Sequence, residues 1–208
     1  MKMEINFTHQ IKERTLEEIK PYFQPKVFIE YCKACKYYHK IWACPPYDFD
    51  STKVLENYRY AYIIGSKLYI HDLGEEFKKL LNNQSLEHVS NEIYIAVRAA
   101  LDEKLVSIED KEKHLCVLLA GRCLICGNCT REKNLPCIYP EKMHLSLESI
   151  GFDVASMCED ILGDRMQWAK ESLPEYFIFV SAVLSRKKLD IEGIYKDMAS
   201  GIDTYNIE

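Results

Sequence analysis

The sequence has no run of the roughly 20 apolar residues needed to cross a bilayer. Its longest apolar stretch, Phe177 to Leu184, is far too short for that. The amino terminus, MKMEINFTHQ, lacks the apolar core of a secretory signal, which predicts a cytoplasmic protein outside any membrane. Glycine and proline are sparse, 8 and 7 of 208 residues, so extended disorder and flexible linkers are not expected. No GxGxxG, P-loop, GxSxG or HExxH motif occurs, which removes the simplest nucleotide, hydrolase and metalloprotease readings. Excess positive charge is absent too. A formal net charge of −5 argues against a general nucleic-acid binder.

Cysteine, by contrast, is abundant. There are nine, and in a reducing compartment clustered cysteines point to metal or redox chemistry rather than to disulfides. Seven fall into two tight groups, with Cys116 and Cys158 apart. The stronger group is Cys123-x2-Cys126-x2-Cys129-x7-Cys137, with Pro140 shortly after. Three thiolates two residues apart on a turning loop can each bind a different iron of a cubane, and the distant fourth closes the coordination. Gly127 is expected to permit the turn between the second and third ligands. A single tetrahedral zinc prefers two separate C-x2-C knuckles, and here the middle cysteine crowds such a site.

The first group, Cys32-x2-Cys35-x8-Cys44-Pro45-Pro46, leaves more open. With His39 it makes a closed Cys3His zinc site. With three thiolates alone it holds an iron–sulfur cluster with one iron open, or with a fourth ligand from elsewhere. Cys158 and Cys116 are the candidates, although Cys116 reads better as a small core residue. Ligands could also be exchanged between the groups, Cys44 being the remote kind of ligand. Lys33, Lys36 and Lys40 stand among these cysteines without a carboxylate, either stabilising an anionic centre or simply solvated. Tyr37, Tyr38, Trp42 and Tyr47 either shield a centre or pack. His9, His71, His88, His114 and His144 show no metal spacing. Asp153, Glu148 and Glu159 lie near the cysteines in sequence and are as well explained by capping or solvation.

Residues 1–208 read as one domain of α/β or α+β class, a helix-covered mixed sheet of about four strands with cysteine-rich loops following strands. Strands are expected at Val27–Tyr31, Tyr58–Ile70 (bent at Gly65), Leu115–Ala120 and Tyr176–Ser185, the last of them central. Helices are expected over Arg14–Lys20 from the Thr15/Glu18 capping box, from Asp72 to about Leu81, and over Glu141–Ile150. Another runs from Asp153 to near Gly163. The clearest helix repeats Leu86, Val89, Ile93, Val97, Ala100, Leu101 and Leu105 along one apolar face.

The motifs Cys32-x2-Cys35, Trp42-x-Cys44-Pro45-Pro46, Cys123-x2-Cys126-x2-Cys129 and Pro136-Cys137-x2-Pro140 recur with a Ser146-x-Glu-x-x-Gly-Phe-Asp-Val154 stretch. In these the chain resembles the predicted metal-binding family of unknown function DUF2284, from about Cys32 to the last strand. Arg122, directly before Cys123, stands where a small residue is expected. The resemblance implies metal binding and supplies no reaction. Three functions follow from the residues. One is a redox carrier with one or two [4Fe–4S] clusters and a redox partner protein. Another is an enzyme whose three-cysteine cluster offers an open iron to a small-molecule substrate. The last is a protein with structural zinc.

Overall fold

A computed structural model describes residues 2–73, 84–112, 114–199 and 203–206. Four strands form one sheet: β2 (Thr8–Thr15), β3 (Tyr60–Tyr69), β4 (Leu115–Leu118) and β5 (Tyr176–Ser185). They lie in the order β2-β3-β5-β4, and every pairing is antiparallel. The two ten-residue strands pair from Tyr60 opposite Ser185 to Tyr69 opposite Tyr176, and β3 runs unbroken through Gly65. A separate two-stranded ribbon joins β1 (Lys2–Ile5) to β6 (Asp203–Asn206).

Both β3 and β5 are apolar at nearly every position because both faces of the sheet are covered. On one face Tyr62, Ile64, Phe179 and Val183 pack against α3 (Leu86–Lys111), which buries Val89, Ile93, Val97, Leu101 and Leu105 at the expected spacing. Ile194 and Met198 of α6 (Ile191–Ala199) complete that layer. On the other face Ala61, Ile63, Val180, Ala182 and Leu184 meet Ile19 of α1 (Leu16–Ile19). They also meet Leu147 and Ile150 of α4 (Leu147–Ile150), and Val154 and Met157 of α5 (Val154–Met157). Each such Leu, Ile or Val contributes about 1.5–3 kcal/mol by leaving water. No helix among the described residues is long and apolar enough to cross a membrane.

Three local expectations change. The run Val27–Tyr31 is not a strand but lies in α2 (Pro25–Ala34). Pro25 opens that helix at a position where its missing N–H is no loss, and a short apolar run alone cannot distinguish the two periods. The first cysteine group therefore follows a helix, and only the second follows a strand. Next, Glu141–Ile150 is not one helix. A 3-10 turn spans Pro140–Lys142, and the chain then extends so that the Leu145 carbonyl accepts from the Leu119 amide at 2.9 Å. Ser146 bridges to Leu119 there and then caps α4. Finally, the Thr15–Glu18 capping box forms as expected, but it opens a helix of one turn directly out of β2. The helix expected from Asp72 to Leu81 falls largely on 74–83, outside the described residues.

Glu109 of α3 ties three elements together. It accepts from the Val117 amide at 2.9 Å and meets His144 Nε2 at 2.6 Å. The hydrogen bond to Glu109 raises the His144 pKa from its ordinary 6.5, against the burial that lowers it. A raised folded-state pKa means that this stabilisation is complete below about pH 6.5 and is lost as pH climbs through the elevated value. The expected size is about 1 kcal/mol, since Glu109 remains partly solvated. Melting of the parent and of His144→Gln should therefore differ most near about pH 6 and converge towards about pH 9. A gap unchanged across that range would rule the pair out as a source of stability.

Candidate metal centre

The second cysteine group begins where β4 ends. Gly121 turns the chain with φ of 75°, and a Cβ there would stand 2.5 Å from the Tyr94 hydroxyl, so a side chain is excluded twice. Cys123, Cys126, Cys129 and Cys137 then line one small cleft, with Trp42 and Met143 among its other wall residues. Cys137 is brought back by a 3-10 turn, Thr130–Lys133, that ends at left-handed Asn134. The return is pinned by Thr130 Oγ1 donating to Pro136 O at 2.8 Å. Gly127 does not create the curve: its φ is not positive and a Cβ would meet nothing within 4 Å.

Burial pushes the Cys123 thiol pKa up, the Ile125 amide hydrogen bond to it pulls the other way, and Cys126, Cys129 and Cys137 add to the rise. Four thiols that would repel one another as thiolates are a donor set that a bound cation relieves. The amide bond to sulfur is the kind of contact that tunes such a centre. The residues present fit a thiolate-held metal group.

The first group sits where α2 stops. Cys32 lies in its last turn, Cys35 caps it, and tight turns carry the chain to Cys44 before a cis Pro45–Pro46 bond. Cys32, Cys35 and Cys44 line one cavity of about 430 Å³, with Tyr37 and Tyr38 in its wall. Burial, then the neighbouring Cys35 and Cys32, push the Cys44 thiol up to about 12. His39 is not on that wall. It is exposed, with a left-handed φ of 59°, and its amide closes the loop onto Pro45 O. Among the described residues no three His, Cys, Asp or Glu side chains converge closely enough for one metal ion. The thiols stand around a cleft and a cavity instead.

Arg131 locks the two groups side by side. Its buried guanidinium donates to Ile41 O at 2.9 Å and to the carbonyls of Cys44 and Pro46, and it stacks 4.9 Å over the Trp42 ring. Trp42 in turn donates to Leu135 O at 3.1 Å, which ties the first loop to the second. The Cys44 thiol consequently feels Cys123 as well as its own group. Tyr47 donates to Ala43 O and packs within the same loop. Lys33 and Lys36 pair with Glu30 and Glu87 on the exposed rim.

The two solitary cysteines are not drawn to either group. Cys158 is wholly buried in the core beneath the sheet, and burial lifts its thiol to about 11. Cys116 packs on that same core and shares a hydrogen bond with Tyr58. Asp153 caps α5 by accepting from the Ser156 amide, and Glu159 pairs with Arg165, so both have structural tasks.

Glu148 is different, and sequence alone did not single it out from its neighbours. It lines the cavity of the first group, burial pushes its carboxyl pKa up, and its Oε2 atom is buried without a hydrogen-bond partner. Arg122 also reaches that cavity, its guanidinium lying 4.5 Å from the Tyr37 ring centre and 5.1 Å from that of Tyr94. The only signals for them in the sequence were the third position of the Ser146–Val154 motif and an arginine where a small residue was expected.

Comparison with known proteins places these features. No curated protein and no solved structure matches the chain. A family described as predicted metal-binding protein (DUF2284) matches over residues 17–185, a span that holds both cysteine groups, α3 and the four-stranded sheet from β3 onward. With its cysteines gathered into two adjoining loops, the chain belongs to that predicted metal-binding family.

Proposed function

We propose that this chain is an iron–sulfur protein of the cytoplasm, with a [4Fe–4S] cluster on Cys123, Cys126, Cys129 and Cys137 and a second centre on Cys32, Cys35 and Cys44. The observation that carries the reading is the gathering of four free cysteines around one cleft. A cubane takes one thiolate per iron, so its ligands surround a volume, whereas zinc draws four onto one point. When bound, such a cluster supplies reversible one-electron transfer. The chain's own part is to supply thiolates, to exclude water with Trp42 and Met143, and to hold the two groups together through Arg131. Adjacent centres suit passage of electrons to a redox partner protein, and the test is reduction. Protein purified without oxygen should bleach with dithionite and recover on mild reoxidation, with a paramagnetic signal in the reduced state. A spectrum indifferent to dithionite would leave structural zinc as the better reading.

A second reading, catalysis on a small molecule at the three-cysteine group, is favoured by one specific observation. The cavity of about 430 Å³ lies against Cys32, Cys35 and Cys44 and is the size of a small-ligand site. The cleft of the second group has no comparable space.

A further inference from the structure

We infer that the buried guanidinium of Arg131 is the counter-charge of the two cysteine centres, placed to stabilise them when they hold metal and to raise their reduction potentials. This deepens the iron–sulfur reading above and rests on it. Arg131 is 7% exposed, yet among the described residues no carboxylate pairs with it. Its partners are the carbonyls of Ile41, Cys44 and Pro46 and the ring of Trp42. Carbonyls satisfy N–H groups but carry no net charge, and a buried cation without an anion is costly. A neutral donor could tie the loop without that cost. The charge itself therefore needs an anion close by.

The anions at hand are thiolates. Arg131 stands between Cys129 and Cys137 in the second loop, shares a cleft with Cys137, and donates to the backbone of Cys44 in the first. Burial, then Cys35 and Cys32, push the Cys44 thiol up, and Arg131 acts against them. In a loaded centre the thiolates outweigh the charge of the metal they hold, which leaves an anion. Reduction adds one more negative charge, and a nearby cation favours it. The exposed lysines are a weaker source of the same effect. Lys33 and Lys36 are solvated and already pair with Glu30 and Glu87, so salt screens them.

The test is redox titration of protein purified without oxygen, as the parent, Arg131→Gln and Arg131→Lys, with iron, sulfide and zinc measured on the same samples. Glutamine keeps a donor and loses the charge, whereas lysine keeps the charge and loses the planar fork. Arg131→Gln should lower the potential of each couple by about 59 mV, a tenfold change in the reduction equilibrium. Arg131→Lys should shift it by less than half as much, and so should Lys133→Gln, which removes an exposed cation from the same turn. An unshifted Arg131→Gln protein, or equal shifts in the Gln and Lys variants, would reduce Arg131 to a loop clip and overturn the inference. Should the variants not fold, the parent alone decides. Its potentials should move by less than half that amount between about 0.05 and 0.5 M salt, because a buried charge is little screened. A larger movement would give the role to the exposed lysines and overturn the inference. Samples with zinc and no sulfide would end the iron–sulfur reading but not this one. Arg131→Gln should then lose zinc to a chelator about tenfold faster than the parent, and Arg131→Lys should not. Equal loss from all three proteins would overturn the inference.

Discussion

Cys126→Ser should strip the cluster on Cys123, Cys126, Cys129 and Cys137 and leave the centre on Cys32, Cys35 and Cys44. A serine hydroxyl does not ionise at neutral pH and is a poor soft ligand, so losing one thiolate of four should reduce metal retention at that site by roughly tenfold to a hundredfold. The four thiols line one cleft, and no other cysteine stands on its wall to substitute. Cys44→Ser should do the converse. It removes a thiol from the cavity that Cys32 and Cys35 share and does not touch the second cleft. Cys158→Ala is the control, because Cys158 is buried in the core away from both groups and should change stability but not metal content. Metal and sulfide per chain, measured for the three variants, checks the pattern. A Cys126→Ser protein with its full metal complement, or a Cys158→Ala protein that loses metal, would show that the ligands are paired otherwise.

The largest expected loss of stability comes from a buried ion pair on α3. Asp102→Ala should destabilise the fold by about 3–5 kcal/mol, the usual cost of orphaning a buried charge. Arg98 is fully buried on α3 and is held by two parallel bonds of 2.8 Å to Asp102, four residues on. Without that carboxylate its guanidinium keeps only the Tyr94 hydroxyl among the partners it has in the helix. The pair itself need not be a net stabiliser. Replacing both, as Arg98→Met with Asp102→Leu, should recover most of the loss, since a well-packed apolar pair avoids the desolvation cost. Urea unfolding of the two proteins decides the matter. A single-variant loss below about 1 kcal/mol would mean that water reaches Arg98. Because Arg98 positions Tyr94, the single variant should also loosen the cavity wall.

What the sequence made legible has a physical pattern. The three- and four-residue apolar spacing of α3 could be read because one face is buried, and the largely apolar strands β3 and β5 because both faces of the sheet are covered. The two cysteine groups were visible as spacing, and the structure gathers each around its own space. The edge strand Thr8–Thr15 was not legible. It contributes Ile11 to the core among mostly polar residues, and an edge strand needs only one covered face. Nor was α2: Val27 and Tyr31 share one helical face but are 49% and 68% exposed, and the helix buries no residue. Arg131, Arg122 and Glu148 escaped for a different reason. Their roles lie in contacts with residues some 30 to 90 positions away in the chain, such as Ile41, Tyr37 and the cavity wall, and local pattern carries no record of these.

The most direct measurement of the central claim is the iron, acid-labile sulfide and zinc content of the protein purified without oxygen. About four or about eight irons per chain, with matching sulfide and a brown colour, is the expected result. A colourless protein carrying one or two zincs and no sulfide would contradict it.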